Sequence, residues 1–166
     1  MSITPGQINS LVEAELKTVS DRRVIEHIES LLVQPQPILR QWDYGEPNDK
    51  FICWPVLDHE DSNTGIAYSE FGFGPTYPWG LVQLSGSEND KSIGMDCGWF
   101  PSFIEAYFES FASSDLPIWK VFKDIKPITE ESSWDSTWEK VYEMRNNDSA
   151  SHYRCDHSIE YQKSDI

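Results

Sequence analysis

Apolar residues recur at helical spacing near the start of the chain: Ile8, Leu11, Val12, Leu16 and Val19 fall on one face of a 3.6-residue repeat. Thr4-Pro5-Gly6-Gln7 ahead of them reads as a helix start, with Thr4 as N-cap, Pro5 at the first helical position and Gln7 placed to complete a capping box. A second start at Ser20-Asp21 leads into Val24, Ile25, Ile28, Leu31 and Leu32. Pro35 and Pro37 end that pattern, because the residue before a proline is pushed out of helical conformation.

From residue 38 to residue 84 the period changes. The segments 51–54, 65–71 and 79–84 are short, rich in aromatic and branched residues, and bounded by Asp, Asn, Gly and Pro. With turn-rich connections at 58–64, 72–78 and 85–92, they predict an antiparallel meander. Helical spacing returns after Ser102: Phe103, Ile104, Tyr107, Phe108 and Phe111 form a wide apolar face, with Glu105 and Glu109 on the other side. A strand is predicted over 118–122, and a last helix starting near Ser133 with Trp134, Trp138, Val141 and Tyr142 on one face. From Asn146 onward the chain is polar, and little order is expected over 146–166. With no repeat and no linker, the expectation is one α+β domain over 1–166: N-terminal helices, a central antiparallel β-meander and C-terminal helices.

At 166 residues the chain is long enough to bury a core. Its apolar share, 39%, is slightly low, but seven Trp, seven Tyr and eight Phe supply large buried areas and argue against a disordered chain. No apolar run reaches membrane-spanning length, and Met1 to Gly6 lacks the basic-then-apolar layout of a signal peptide, so the expected location is the cytoplasm. Cys53, Cys97 and Cys155, widely spaced and odd in number, fit reduced thiols better than a disulfide scaffold.

Charge changes the picture most. The net charge of −15 opposes direct binding to nucleic acid or an anionic membrane and favours a basic partner. It is uneven: 1–40 carries −1, 41–115 carries −11 with only Lys50 and Lys91 as bases, and 116–166 carries −3. The acidic stretch also holds 71–80, where three glycines, two prolines and four aromatics make a stiff irregular loop. Those rings could simply plug the edge of the core. They could also form an aromatic platform rimmed by carboxylates, in which rings supply affinity and charges set approach. The residues this second reading selects as partner-binding are Asp58, Glu60, Asp61, Glu70, Glu88, Asp90 and Asp96, with Tyr77 and Trp79 as anchors.

Catalytic and metal readings are weaker. Cys97, between a strand region and a helix start, could be a nucleophile stabilised by the helix dipole, but no histidine stands near it in sequence to act as base. A small buried cysteine beside a tight turn explains it better. His152-x-x-Cys155-x-His157 offers three zinc-binding side chains without the paired spacing of a structural site. The loop Asp58-His59-Glu60-Asp61-Ser62-Asn63 has oxygen ligands for calcium but not the EF-hand positions of glycine and closing glutamate, so it reads as a solvated turn. Phosphate-loop, dinucleotide-binding, zinc-protease and nucleophile-elbow motifs do not occur. The expectation is a protein with no catalytic set, no cofactor and no dedicated metal.

The order of elements, with Ser-Phe-Ile-Glu-Ala-Tyr-Phe at 102–108 after a glycine-bearing meander, resembles the SMI1/KNR4-type immunity proteins. More broadly the chain is similar to small acidic, Trp-rich immunity proteins of bacterial polymorphic-toxin and contact-dependent inhibition systems. The resemblance covers about residues 50–112, and the chain extends well past the 102–111 helix. It implies a non-enzymatic protein that binds and neutralises a cognate basic toxin domain, for instance a nuclease, whose phosphate-binding surface an acidic face would occupy. The other functions open at this point are a cysteine-dependent hydrolase using Cys97 and an acidic adaptor subunit.

Overall fold

The computed structural model describes residues 2–41, 46, 48–70, 72, 74–85 and 98–163. It has the α+β composition and element layout expected from the sequence. The chain divides into two compact units, Met1–Ala112 with Tyr161–Ile166, and Ser113–Glu160. No helix among the described residues is long and apolar enough to cross a membrane.

In the first unit, helix α1 (Pro5–Leu16) begins at the capping box read from the sequence: Gln7 N–H donates to Thr4 Oγ1, and Thr4 N–H donates to the Gln7 side chain. Ile8, Val12 and Leu16 are buried, while Leu11 is 41% exposed and lies off the core stripe. Val19 is outside the helix and forms an antiparallel bridge with Tyr161. Helix α2 (Arg22–Leu31), capped by Asp21, buries Val24 and Ile28. It stops before Pro35 because the next residues are taken by the sheet. Leu32 bridges Leu57, and Val33 N–H donates to Val56 O at 2.9 Å.

The sheet runs in order β1 (Ile38–Gln41), β2 (Lys50–His59), β3 (Thr64–Tyr68), β4 (Trp79–Gln83) and β5 (Trp99–Phe100), each antiparallel to the next. Strand β2 continues well past Trp54, although Pro55 reads as a strand breaker. The register shifts between Pro55 and Leu57, and an irregularity of this kind is where a strand tolerates a residue without an N–H. Gly80 leaves room for the Trp99 ring across the β4–β5 pair; a Cβ there would lie 2.8 Å from it.

Helix α3 (Phe103–Glu109), capped by Ser102, is apolar on nearly every side because it packs against both the sheet and α1. Phe103 meets the edge of Trp79 at 5.4 Å, and Tyr107, fully buried, hydrogen-bonds His27 Nδ1 at 2.8 Å. Phe111, expected on the same face, follows the end of the helix and is 64% exposed.

The second unit is a three-stranded antiparallel sheet in order β7 (Lys126–Pro127), β6 (Trp119–Lys123), β8 (Tyr153–His157), with helix α4 (Trp134–Asn147) packed against β6 and β8. Ser133 caps α4, as its sequence position suggests. Val121, Val141 and Tyr153 form the centre, with Trp138, Met144 and Cys155 against it. Strand β8 lies in the tail expected to be poorly ordered. Arg145 ties it to α4 by donating from Nε and Nη2 to Tyr153 O at 2.9 and 2.7 Å.

Candidate functional site

Antiparallel return separates the predicted partner-binding residues into two groups. Asp58, Glu60 and Asp61 sit where β2 turns into β3; Glu70 and Tyr77 sit in the connection from β3 to β4 at the opposite end of the sheet. Strand β3, Thr64–Tyr68, lies between them, which at ~3.3 Å per residue separates the groups by roughly 13 Å. Glu88, Asp90, Asp96 and the alternative nucleophile Cys97 lie outside the described residues.

The β2–β3 end is a built turn. Glu60–Ser62 forms one 3-10 turn, and Asn63 takes the left-handed conformation with φ 55°. Asn63 O accepts from Leu84 N–H, Asn63 Nδ2 donates to Ser85 O, and Ser85 Oγ donates to Asn63 Oδ1 at 2.7 Å. The turn is therefore fastened to the end of β4. Beneath it, the buried His59 places Nδ1 2.7 Å from Ser62 Oγ, which lies 2.6 Å from Thr64 Oγ1. Gly65 is required here, since a Cβ would stand 2.4 Å from Leu57 O. Glu60 and Asp61 project from this frame into solvent.

Asp58 behaves differently from its neighbours. It is half-buried, and Oδ1 is shielded from solvent with no hydrogen bond from a described residue. Burial raises its carboxyl above the ordinary aspartate value, the charge of Glu60 adds to this, and Arg40 opposes it. Arg40 itself is 3% exposed. Its placement on β1 opposite Phe51 puts it on the same face as Cys53. A strand of four residues, Ile-Leu-Arg-Gln, is too short for its alternation to mark Arg40 as inward-facing in the sequence.

At the opposite end, Glu70 Oε1 accepts the Ile3 N–H at 3.2 Å and holds the segment before α1. Tyr77 is half-buried. Burial, with the nearby Glu70 charge, raises the Tyr68 hydroxyl. The assignment of Trp79 as a surface anchor is corrected. Trp79 is 2% exposed, wedged edge-on between Tyr68 at 5.0 Å and Phe103 at 5.4 Å, because Tyr68 stands directly opposite it on β3 and α3 lays Phe103 against it.

The described thiols are poor nucleophiles. Burial pushes Cys53 up to about 11 despite Arg40, and burial together with Asp156 pushes Cys155 to about 12. Cys155 packs against the core of the second unit, whereas His152 is exposed before β8. Among the described residues no group of three or more His, Cys, Asp and Glu is arranged to hold a metal, the His152, Cys155, His157 trio included.

Comparison with protein-family models, with curated proteins and with solved structures finds no match.

Proposed function

We propose that this protein is an immunity-type inhibitor that binds a basic protein, a toxin domain, through the acidic β2–β3 end of its five-stranded sheet. The observation that carries this reading is the pair Glu60 and Asp61, exposed on a turn whose shape is held by Asn63, Ser85 and the His59–Ser62–Thr64 chain. A turn whose backbone is already held loses little freedom when it meets a cationic surface, so it is preorganised to present the two carboxylates. The −11 charge of residues 41–115 supplies the longer-range attraction. Such steering speeds association by about 10- to 1,000-fold at low salt. Trp79 has no part in this surface, and Glu70 and Tyr77 belong to a separate end of the sheet.

The test is co-purification with the product of the neighbouring gene, followed by association rates across a salt series for wild type and Glu60→Lys/Asp61→Lys. Slower association and a flatter salt dependence in the variant support the acidic-turn reading, and unchanged rates reject it. Absence of a complex with the neighbouring product rejects the inhibitor reading.

A further inference from the structure

Along α4, Trp134, Trp138 and Tyr142 follow one another at intervals of four residues and form a continuous column. Their rings lie 5.7 and 5.6 Å apart, and Trp134 rests edge-on against the buried Trp119 at 4.5 Å. The column leaves the core as it ascends: Trp134 and Trp138 are half-buried, and Tyr142 is 58% exposed. Core packing accounts for the two tryptophans but not for the tyrosine at the outer end.

Beside the rings runs a second column. Asp135, Glu139 and Glu143 are also four residues apart, each one position after a ring, so helical geometry sets them along the solvent side of the aromatic column. All three are exposed, and among the described residues none takes part in an ion pair. Like charges at this spacing repel and weaken a helix. An aromatic column flanked by unneutralised carboxylates matches a cation that carries a flat apolar face, and guanidinium is that group. The protein already holds one such contact: the Arg145 guanidinium lies over Trp138, 5.6 Å from the ring centre.

We propose that this flank of α4 is a docking surface for an arginine-bearing basic segment of a partner protein, with Tyr142 and the outer parts of Trp134 and Trp138 receiving guanidinium groups and Asp135, Glu139 and Glu143 pairing their charge. This surface belongs to the second compact unit, and the acidic β2–β3 turn belongs to the first.

The experiment uses the full chain and three synthetic peptides of equal length, alternating glycine with arginine, lysine or glutamate. Binding is followed by NMR at the indole N–H groups of Trp134 and Trp138 and at the backbone amides. The arginine peptide is expected to shift both signals and to bind more tightly than the lysine peptide, with no response to the glutamate peptide. Tyr142→Ala, which removes an exposed ring and leaves the core intact, is expected to weaken arginine-peptide binding by about two- to fivefold, the size of one exposed cation–π contact. Glu139→Lys/Glu143→Lys should weaken it further and lower its salt dependence. Equal affinity in both variants overturns the proposal. So do shifts confined to the backbone of Glu60 and Asp61, equal binding of arginine and lysine peptides, or comparable binding of the glutamate peptide.

Discussion

Glu15 on α1 accepts the backbone N–H of Ile104 at 2.9 Å, so a carboxylate 89 residues away serves the first turn of α3. Ser102 supplies the local cap, accepting from Glu105 N–H, and Glu15 satisfies a donor that the cap leaves over. Burial nevertheless dominates at Glu15 and raises its carboxyl above 4.5. The N–H groups of Ile104 and Phe103 lower it, and the Glu105 charge raises it again.

The direction fixes a pH dependence. A carboxyl raised on folding binds its proton more tightly in the folded chain, so its ionisation weakens the fold as pH rises from 4.5 through the folded value. Glu15→Gln, which keeps an oxygen acceptor, is expected to remove this component. Urea unfolding of both proteins from pH 4.5 to neutrality should show a difference in slope, bounded by about 1.4 kcal/mol per pH unit for one proton. Identical slopes would mean that Glu15 does not titrate in this window.

At the β4–β5 pair, Gly80→Ala would press a methyl group into the Trp99 ring, 2.8 Å from the nearest ring carbon. Displacing a buried indole should cost about 1–3 kcal/mol in chemical unfolding, with altered Trp fluorescence in the native state. A silent Gly80→Ala would show that the ring shifts without loss.

Asn63 combines a left-handed backbone with a side-chain tie to Ser85. Asn63→Ala should therefore lose about 1–2 kcal/mol, since alanine resists that conformation and cannot make the tie. Asn63→Gly keeps the conformation and should recover part of the loss. Hydrogen exchange at Leu84 N–H, which donates to Asn63 O, reports whether the turn loosens in each variant.

The thiol values give a labelling prediction. Cys53 at about 11 and Cys155 at about 12 hold almost no thiolate at neutral pH, so iodoacetamide should modify both far more slowly in the folded chain than in denaturant. Peptide mapping by mass spectrometry checks each position, and rapid native-state alkylation of Cys53 would contradict its 0% exposure.

Local chemistry was legible in the sequence. Thr4, Asp21, Ser102 and Ser133 begin helices where their neighbours say they should, because a cap needs only its own side chain and an N–H two or three residues on. The meander was legible for a similar reason, since short β-rich runs between turns favour pairing with the next strand. Long-range pairing decided the remainder. Ile38–Gln41 is a strand because β2 receives it, and Tyr153–His157 because β6 does; neither segment has an apolar alternation strong enough to announce itself. Chain position put the acidic residues and aromatics of 58–79 together, but only the antiparallel return of β3 could show that they occupy opposite ends of one sheet. Burial was likewise a tertiary outcome. The Trp79 side chain is equally suited to surface or core, and Phe103 and Tyr68 around it made it core. The amount and sign of charge were set by the sequence alone; the rigid turn that presents Glu60 and Asp61 came from contacts to Ser85, 22 residues beyond Asn63.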